Sequence, residues 1–439
     1  MTRKKYVQVG TGGRSSMYLN ALCGDFKDVG ELVGLCDSNQ LRMDYWNNRL
    51  QKTYGIVPLP TYKAQDFDRM IADLKPDKVI VTSMDRTHHK YICRAMELGC
   101  DVVTEKPMTV DAEKCQQIID TKKRTGKDVI VTFNYRYSPR NTKVKEILKS
   151  GKVGEITSVH FEWLLSTSHG ADYFRRWHRN KNNSGGLLVH KATHHFDLVN
   201  WWIDSYPEIV FAMGDLKFYG KENAEKRGIT EFYSRARGSK AAEKDPFALH
   251  VSEADDEMLM GLYFNAEKED GYYRDQSVFG DGISIEDNMG VMVRYANKTV
   301  MTYSLCAHCP WEGYRVVFNG TKGRLEFNVV EVADLAWSED FNKDFGLHST
   351  GGDRITHVPE IIFQPHWGKP QEITYEKGSG GHGGGDPKLL SDVFRGVTDD
   401  PLGHAAGYID GARSILTGIA GNISMKTGMP VRVKDLVTF

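Results

Sequence analysis

The segment from Lys5 to Asp37 constrains this 439-residue chain more than any other. Lys5-Tyr-Val-Gln-Val9 reads as a short strand. It runs straight into Gly10-Thr-Gly12-Gly13-Arg14-Ser15, and a helical stretch follows to about Leu22. Glu31 to Cys36 reads as a second strand, closed by Asp37. Glycines in such a turn let backbone approach a pyrophosphate, and the following helix N-terminus faces its charge. Ser15 replaces the third glycine of the pattern and is small enough for close packing. A carboxylate at the end of the second strand can accept hydrogen bonds from both adenosine ribose hydroxyls. It also repels a 2′-phosphate. The expected cofactor is therefore NAD, with NADP disfavoured, although Arg42 nearby weakens that preference. The glycines alone are a weak signal; the order strand, turn, helix, strand and Asp is what makes them specific.

The alternation continues to about residue 135. Lys78 to Thr82 and Asp101 to Thr104 are apolar runs of the kind buried on both faces of a parallel sheet. Asp128 to Thr132 is the closing strand. Helices are expected over Asn39–Tyr54, His88–Leu98 and Asp111–Arg124, with Gly99 and Gly126 as C-terminal stops. This succession predicts a doubly wound Rossmann domain over residues 1–135.

Beyond it the texture changes. Glu155 to Thr167 alternates apolar and polar, the period of a sheet with two different faces. Strand-like runs recur at Pro207–Phe218, Asn288–Tyr295, Thr299–Leu305, Tyr314–Asn319 and Gly323–Asn328, with a tight turn at Gly320–Gly323. One helix is expected over His190–Trp202. Residues 136–439 therefore read as an open, mostly antiparallel β-sheet domain with helices on one face, giving an α/β plus α+β chain. A polar insertion over 220–287 reads as loops and short helices, a lid or an oligomer contact. Gly378 to Gly385, a glycine run interrupted by His382, is not expected to be regular structure. Closing helices are expected over 387–424.

Composition narrows the partners. Lys and Arg number 57 and Asp and Glu 58, so no basic surface points to nucleic acid or to a membrane patch. No stretch approaches the roughly 20 apolar residues of a membrane span. Cys23, Cys36, Cys93, Cys100 and Cys115 fall in segments that read as buried, which suits reduced thiols in a cytoplasmic protein. Cys306, His308 and Cys309 lie close together, but no second cluster with zinc spacing accompanies them, so no metal site is expected.

Two further segments are specific. One is Glu105-Lys106-Pro107. The other runs from Gly185-Gly186 through His190-Lys191-Ala192-Thr193-His194-His195 to Asp197, ahead of Trp201-Trp202. With the glycine turn, Asn134-Tyr135-Arg136 and Gly320–Gly323, they resemble the Gfo/Idh/MocA oxidoreductases along essentially the whole chain. The resemblance implies NAD(P)-dependent oxidation or reduction of a sugar or polyol, and a homo-oligomer assembled through the second domain. It also implies that Lys106 is the catalytic lysine and His194 the catalytic histidine. An ammonium at a strand end can hydrogen-bond the hydroxyl being oxidised, and neutral imidazole can accept its proton.

The sequence departs from the family at His190, where Asp is common, and at Ala192, where Gly is common. His190 and His194, four apart, are expected on one helix face. His190 is then a substrate hydrogen bonder or proton partner, with a shared metal or simple packing as alternatives. Glu105 joins Gly10, Gly12, Gly13, Arg14, Ser15, Asp37 and Lys106 as a cofactor contact. Arg136, Arg176, Trp177, Tyr273 and His382 are candidate substrate contacts, because Arg with Trp suits hydroxyl binding and sugar stacking. Two other functions fit the same signature: a redox-neutral glycoside-cleaving enzyme that keeps NAD bound, and a non-enzymatic NAD-binding regulator.

Overall fold

In a computed structural model of the chain, residues 3–251, 256–332, 359–378 and 381–439 are described. Six strands form the first sheet: β1 (Lys4–Val9), β2 (Gly30–Asp37), β3 (Thr61–Lys63), β4 (Lys78–Val81), β5 (Asp101–Thr104) and β6 (Val129–Val131). Their spatial order is β3-β2-β1-β4-β5-β6, and every pair is parallel. Val79, Ile80 and Val81 are fully buried, as apolar strands covered by helices on both faces must be. The order reverses direction between β1 and β4. That switch point opens a crevice at the carboxyl ends of the strands, where α/β sheets bind their ligands. Three residues of β3 form an edge strand that the apolar pattern is too short to reveal.

The second sheet has nine strands: β7 (Ile156–Ser166), β8 (Pro207–Asp215), β9 (Asn288–Tyr295), β10 (Val300–Cys309), β11 (Glu312–Gly320), β12 (Gly323–Val332), β13 (Ile361–Pro365), β14 (Gln371–Glu372) and β15 (Val431–Arg432). They run in the order β14-β13-β12-β11-β7-β10-β9-β8-β15. Only the β7–β10 pair is parallel. The expected alternation in β7 holds: Val159, Phe161, Trp163 and Leu165 are buried while His160 is exposed. The buried face packs against the long helix Tyr408–Thr427 and the helix Thr193–Trp202. The long helix also packs closely on the short helix Leu187–His190, an approach that depends on Gly418, where a Cβ would come within 2.2 Å of the Leu188 carbonyl oxygen.

Two expectations need correction. The helix read over His190–Trp202 is broken. One short helix, Leu187–His190, ends at His190, and another begins at Thr193. His190 and His194 therefore do not share one continuous helix face. The glycine run is not wholly irregular either, since Gly381–Gly384 forms one helical turn. The side chain of His382 lies outside the described residues.

The insertion consists, among its described residues, of loops and short turns, including Lys221–Lys226, Glu257–Leu259, a wide turn over Met260–Phe264, and Glu267–Asp270. The last three pack on the first sheet's side of the molecule, against the helix Gln40–Tyr54. No helix among the described residues is long and apolar enough to cross a membrane.

Candidate active site

Three strand ends converge at the crevice. The glycine turn follows β1, Ser83 to Asp85 follow β4, and Glu105-Lys106 follow β5. Gly10 adopts φ +82°, a left-handed conformation that favours glycine. A Cβ at this position would also lie 2.5 Å from the Ser83 amide nitrogen. Gly10→Ala is expected to weaken NADH binding at least tenfold, checked by nucleotide fluorescence titration. Ser15 is buried, and its hydroxyl donates to the Gly12 carbonyl at 2.7 Å, closing the turn that a third glycine would otherwise make. The Gly13 amide donates to the Tyr263 hydroxyl of the insertion at 2.9 Å.

Asp37 is buried at the end of β2. Its Oδ2 accepts from the Thr11 amide at 2.6 Å and the Thr11 hydroxyl at 2.9 Å, and its Oδ1 from the Asn39 amide at 2.9 Å. The carboxylate is thus oriented by the glycine turn itself. A rotatable hydroxyl such as Thr11 Oγ1 can yield its place to a ribose hydroxyl. Gly12 and Gly13 without side chains, a helix N-terminus behind them and an oriented Asp37 suit a dinucleotide, whose pyrophosphate would take the place of the Tyr263 hydroxyl on the Gly13 amide.

Glu105 is buried with its oxygens already filled. Oε1 accepts from Arg14 Nε at 2.6 Å and the Tyr18 hydroxyl at 2.8 Å, and Oε2 from the Lys106 amide at 3.1 Å. Burial alone would raise its pKa; Arg14, Lys106 and Tyr18 more than reverse this and hold it below the usual range. Glu105 therefore braces Lys106 and, through Arg14 Nε, the glycine turn. Lys106 precedes Pro107 through a cis bond. Burial lowers its ammonium to about 8, with Glu105 opposing and Lys191 adding to the shift. Among the described residues it forms no ion pair, so its protons remain available to a ligand.

Within electrostatic reach of Lys106 stands His190, whose Nδ1 lies 2.5 Å from Asp85 Oδ2. Asp85 comes from the first sheet and His190 from the second domain, so the pair bridges the cleft. Burial drives His190 well below the ordinary imidazole range, helped by His178 and Lys106. Burial likewise lifts the Asp85 carboxyl well above its ordinary range, against the charge of Lys106. Both shifts disfavour the ion pair, so His190 is neutral. Its second ring nitrogen has no hydrogen-bond partner among the described residues.

Sequence reasoning missed Asp85 and His178. Asp85 sits in an unremarkable loop, and only the fold carries it to His190. His178 is buried, with its ring centroid 4.2 Å from that of His190 and 3.6 Å from that of Trp177. Tyr173 packs edge-on to both histidines. Its hydroxyl contacts His169 Nε2 at 3.2 Å, and His169 Nδ1 contacts Glu312 at 2.8 Å. Arg176 lies close enough to act electrostatically on Asp85 and His190, with Asp172 Oδ2 2.8 Å from its Nη1. Arg176 and Trp177 are both half-buried beside the dyad.

The other expected residues have different surroundings. His194 is buried between Phe133 and Tyr135, with ring centroids at 6.0 and 4.8 Å. Arg136 is 3% exposed, and its donors are committed to Asp197 at 2.6 and 2.8 Å, Asp410 at 3.0 Å and the Gly403 carbonyl at 3.1 Å. That makes it a clamp between segments and not a substrate contact. Arg136→Ala would strand the buried Asp197, and is expected to cost about 3–5 kcal/mol of stability in urea unfolding. Tyr273 is exposed, with the Arg235 guanidinium over its ring. Tyr272 turns inward instead, close to Tyr263 and Arg176. His195 is stacked on Trp163 and bonded to Tyr303. Among the described residues no group of three or more His, Cys, Asp or Glu is arranged to hold a metal.

Comparison with known proteins agrees with this architecture. Residues 4–133 match a family described as "Oxidoreductase family, NAD-binding Rossmann fold". Residues 145–433 match its companion, "Oxidoreductase family, C-terminal alpha/beta domain". The Bacillus subtilis protein YteT, named as an oxidoreductase, is 36% identical over 99% of this chain and 98% of its own length. An inositol 2-dehydrogenase/D-chiro-inositol 3-dehydrogenase of Lactiplantibacillus plantarum is 23% identical over 46% of this chain and 53% of its own. Among solved structures, the WlbA dehydrogenase of Bordetella pertussis, in complex with NADH and UDP-GlcNAcA, superposes with a TM-score of 0.62. It has 15% identity and covers 98% of this chain and 99% of that one, a likeness of fold. Both halves of the family are thus matched in order, with one relative similar from end to end. This chain belongs to the Gfo/Idh/MocA oxidoreductases, and its N-terminal domain is an NAD-binding Rossmann domain.

Proposed function

We propose that the protein is an NAD-dependent dehydrogenase that oxidises a hydroxyl-bearing carbon of a sugar, glycoside or polyol. The observation that carries this reading is the Asp85–His190 contact, within electrostatic reach of Lys106. Bound nicotinamide supplies the hydride acceptor. Lys106 donates a hydrogen bond to the substrate oxygen and stabilises the negative charge that develops on it. With the Asp85 carboxylate accepting its Nδ1 proton, neutral His190 accepts the hydroxyl proton at Nε2 as hydride leaves the same carbon. Two electrons and one proton pass to the cofactor as hydride, and the second proton passes to His190. Trp177 and Arg176 flank the dyad and suit the apolar face and hydroxyls of a sugar ring.

Names among the relatives support the substrate class: inositol 2-dehydrogenase, and a D-glucoside 3-dehydrogenase of Escherichia coli that is 31% identical over 29% of this chain. The end-to-end relative carries an oxidoreductase name, which favours net oxidation over redox-neutral glycoside cleavage. A non-enzymatic regulator would need neither Lys106 nor the dyad. A homo-oligomer built on the second sheet belongs to the same proposal. The test is a panel of sugars, polyols and aryl glycosides with NAD, following absorbance at the NADH maximum and aglycone release together. NADH formation is expected; aglycone release without NADH would reject the dehydrogenase reading.

A further inference from the structure

The first sheet alone leaves the adenosine end of the groove ambiguous. Asp37 repels a 2′-phosphate, but Arg42, in the first turns of the helix Gln40–Tyr54, is the kind of residue that welcomes one. Lys63, at the end of β3, adds a second cation.

The insertion resolves this ambiguity. Arg42 Nη2 lies 2.7 Å from Asp270 Oδ2, and its Nε donates to the Leu262 carbonyl at 2.8 Å. The Arg42 side chain is only 12% exposed. Asp270 Oδ2 also accepts from Asn39 Nδ2 at 3.0 Å. Glu269 Oε2 accepts from the Gln40 amide at 2.5 Å and from Lys63 Nζ at 3.3 Å. Two carboxylates from the far side of the sequence thus take both cations and an amide at the helix N-terminus. With Asp37, three carboxylates face two cations at this edge. A phosphate arriving there would meet uncompensated negative charge, and the donors it needs are already occupied.

We propose that Glu269 and Asp270 determine the selectivity for NAD over NADP, by neutralising Arg42 and Lys63 at the ribose end of the groove. The proposal rests on the reading that the cofactor lies along Gly10–Gly13 with its adenosine ribose at Asp37. Selectivity is then carried by a segment more than 200 residues away from the glycine turn.

The test is titration of the full-length protein with NADH and with NADPH, followed by nucleotide fluorescence. It uses the natural chain, Asp270→Asn, the double variant Glu269→Gln/Asp270→Asn, and each with Arg42→Ala added. In the double variant, NADPH affinity is expected to rise at least tenfold while NADH affinity changes less than threefold. Adding Arg42→Ala should abolish the gain. An unchanged NADPH-to-NADH ratio in folded variants would overturn the proposal, and so would equal loss of both nucleotides. If the carboxylate variants do not fold, Arg42→Ala alone decides. The ratio should stay within threefold, because Arg42 is already neutralised; a tenfold loss of NADPH would overturn the proposal. Failure of the natural protein to bind either nucleotide would instead reject the groove assignment, and the proposal with it.

Discussion

Replacing Lys106 with Met is expected to lower kcat about 10²–10³-fold while leaving NADH affinity within threefold. Methionine keeps the length and apolar stem of lysine but carries no proton to donate. The nucleotide contacts lie on the glycine turn and Asp37, whose hydrogen bonds do not involve the Lys106 side chain. The loss should therefore fall on turnover. The natural enzyme should also show an alkaline limb. The Lys106 ammonium is lowered to about 8 by burial, so the charged form is complete below that pH and lost as pH rises through it. Oxidation rates should fall accordingly above about pH 8. Lys106→Met should have a flat profile over that range. Normal turnover in Lys106→Met, or an unchanged alkaline limb, would remove Lys106 from the chemistry.

The second large effect concerns the two histidines. His190→Ala is expected to lower kcat about 10²–10⁴-fold, the usual range for loss of a general base. Asp85→Ala should fall in the same direction, because it frees the imidazole to rotate and leaves Nδ1 without its partner. His194 is the residue the family resemblance names for the proton, yet it is packed between Phe133 and Tyr135. His194→Ala should act first on stability, read as a lower thermal midpoint, with a smaller loss of kcat than His190→Ala. A larger kcat loss in His194→Ala, with His190→Ala within tenfold of the natural enzyme, would return the proton to His194.

Much of this was legible in the sequence because it is local. The strand, glycine turn and Asp37 are contiguous, and an apolar run such as Val79–Val81 can be buried in only a few ways. Lys106 lies in a short segment whose neighbours hold it in place. What stayed hidden depends on contacts between distant segments. Asp85 and His190 are 105 residues apart. His178 is an ordinary histidine until folding sets it against His190. Arg136, at the domain junction, looked like a substrate contact, but Asp197 and Asp410 claim its guanidinium. The break between His190 and Thr193 was invisible because Lys191 and Ala192 are good helix formers. Tyr272 and Tyr273 are adjacent and alike in sequence, and only packing decides which turns inward.

The most direct test of the central claim is a crystal structure of the protein with NADH bound. The account predicts the pyrophosphate on the Gly12–Gly13 amides, in place of the Tyr263 hydroxyl that Gly13 now contacts. It predicts the ribose on Asp37 and the nicotinamide ring between Lys106 and the Asp85–His190 pair. A nicotinamide ring directed away from Lys106 and His190, or a dinucleotide bound anywhere else on the chain, would contradict it.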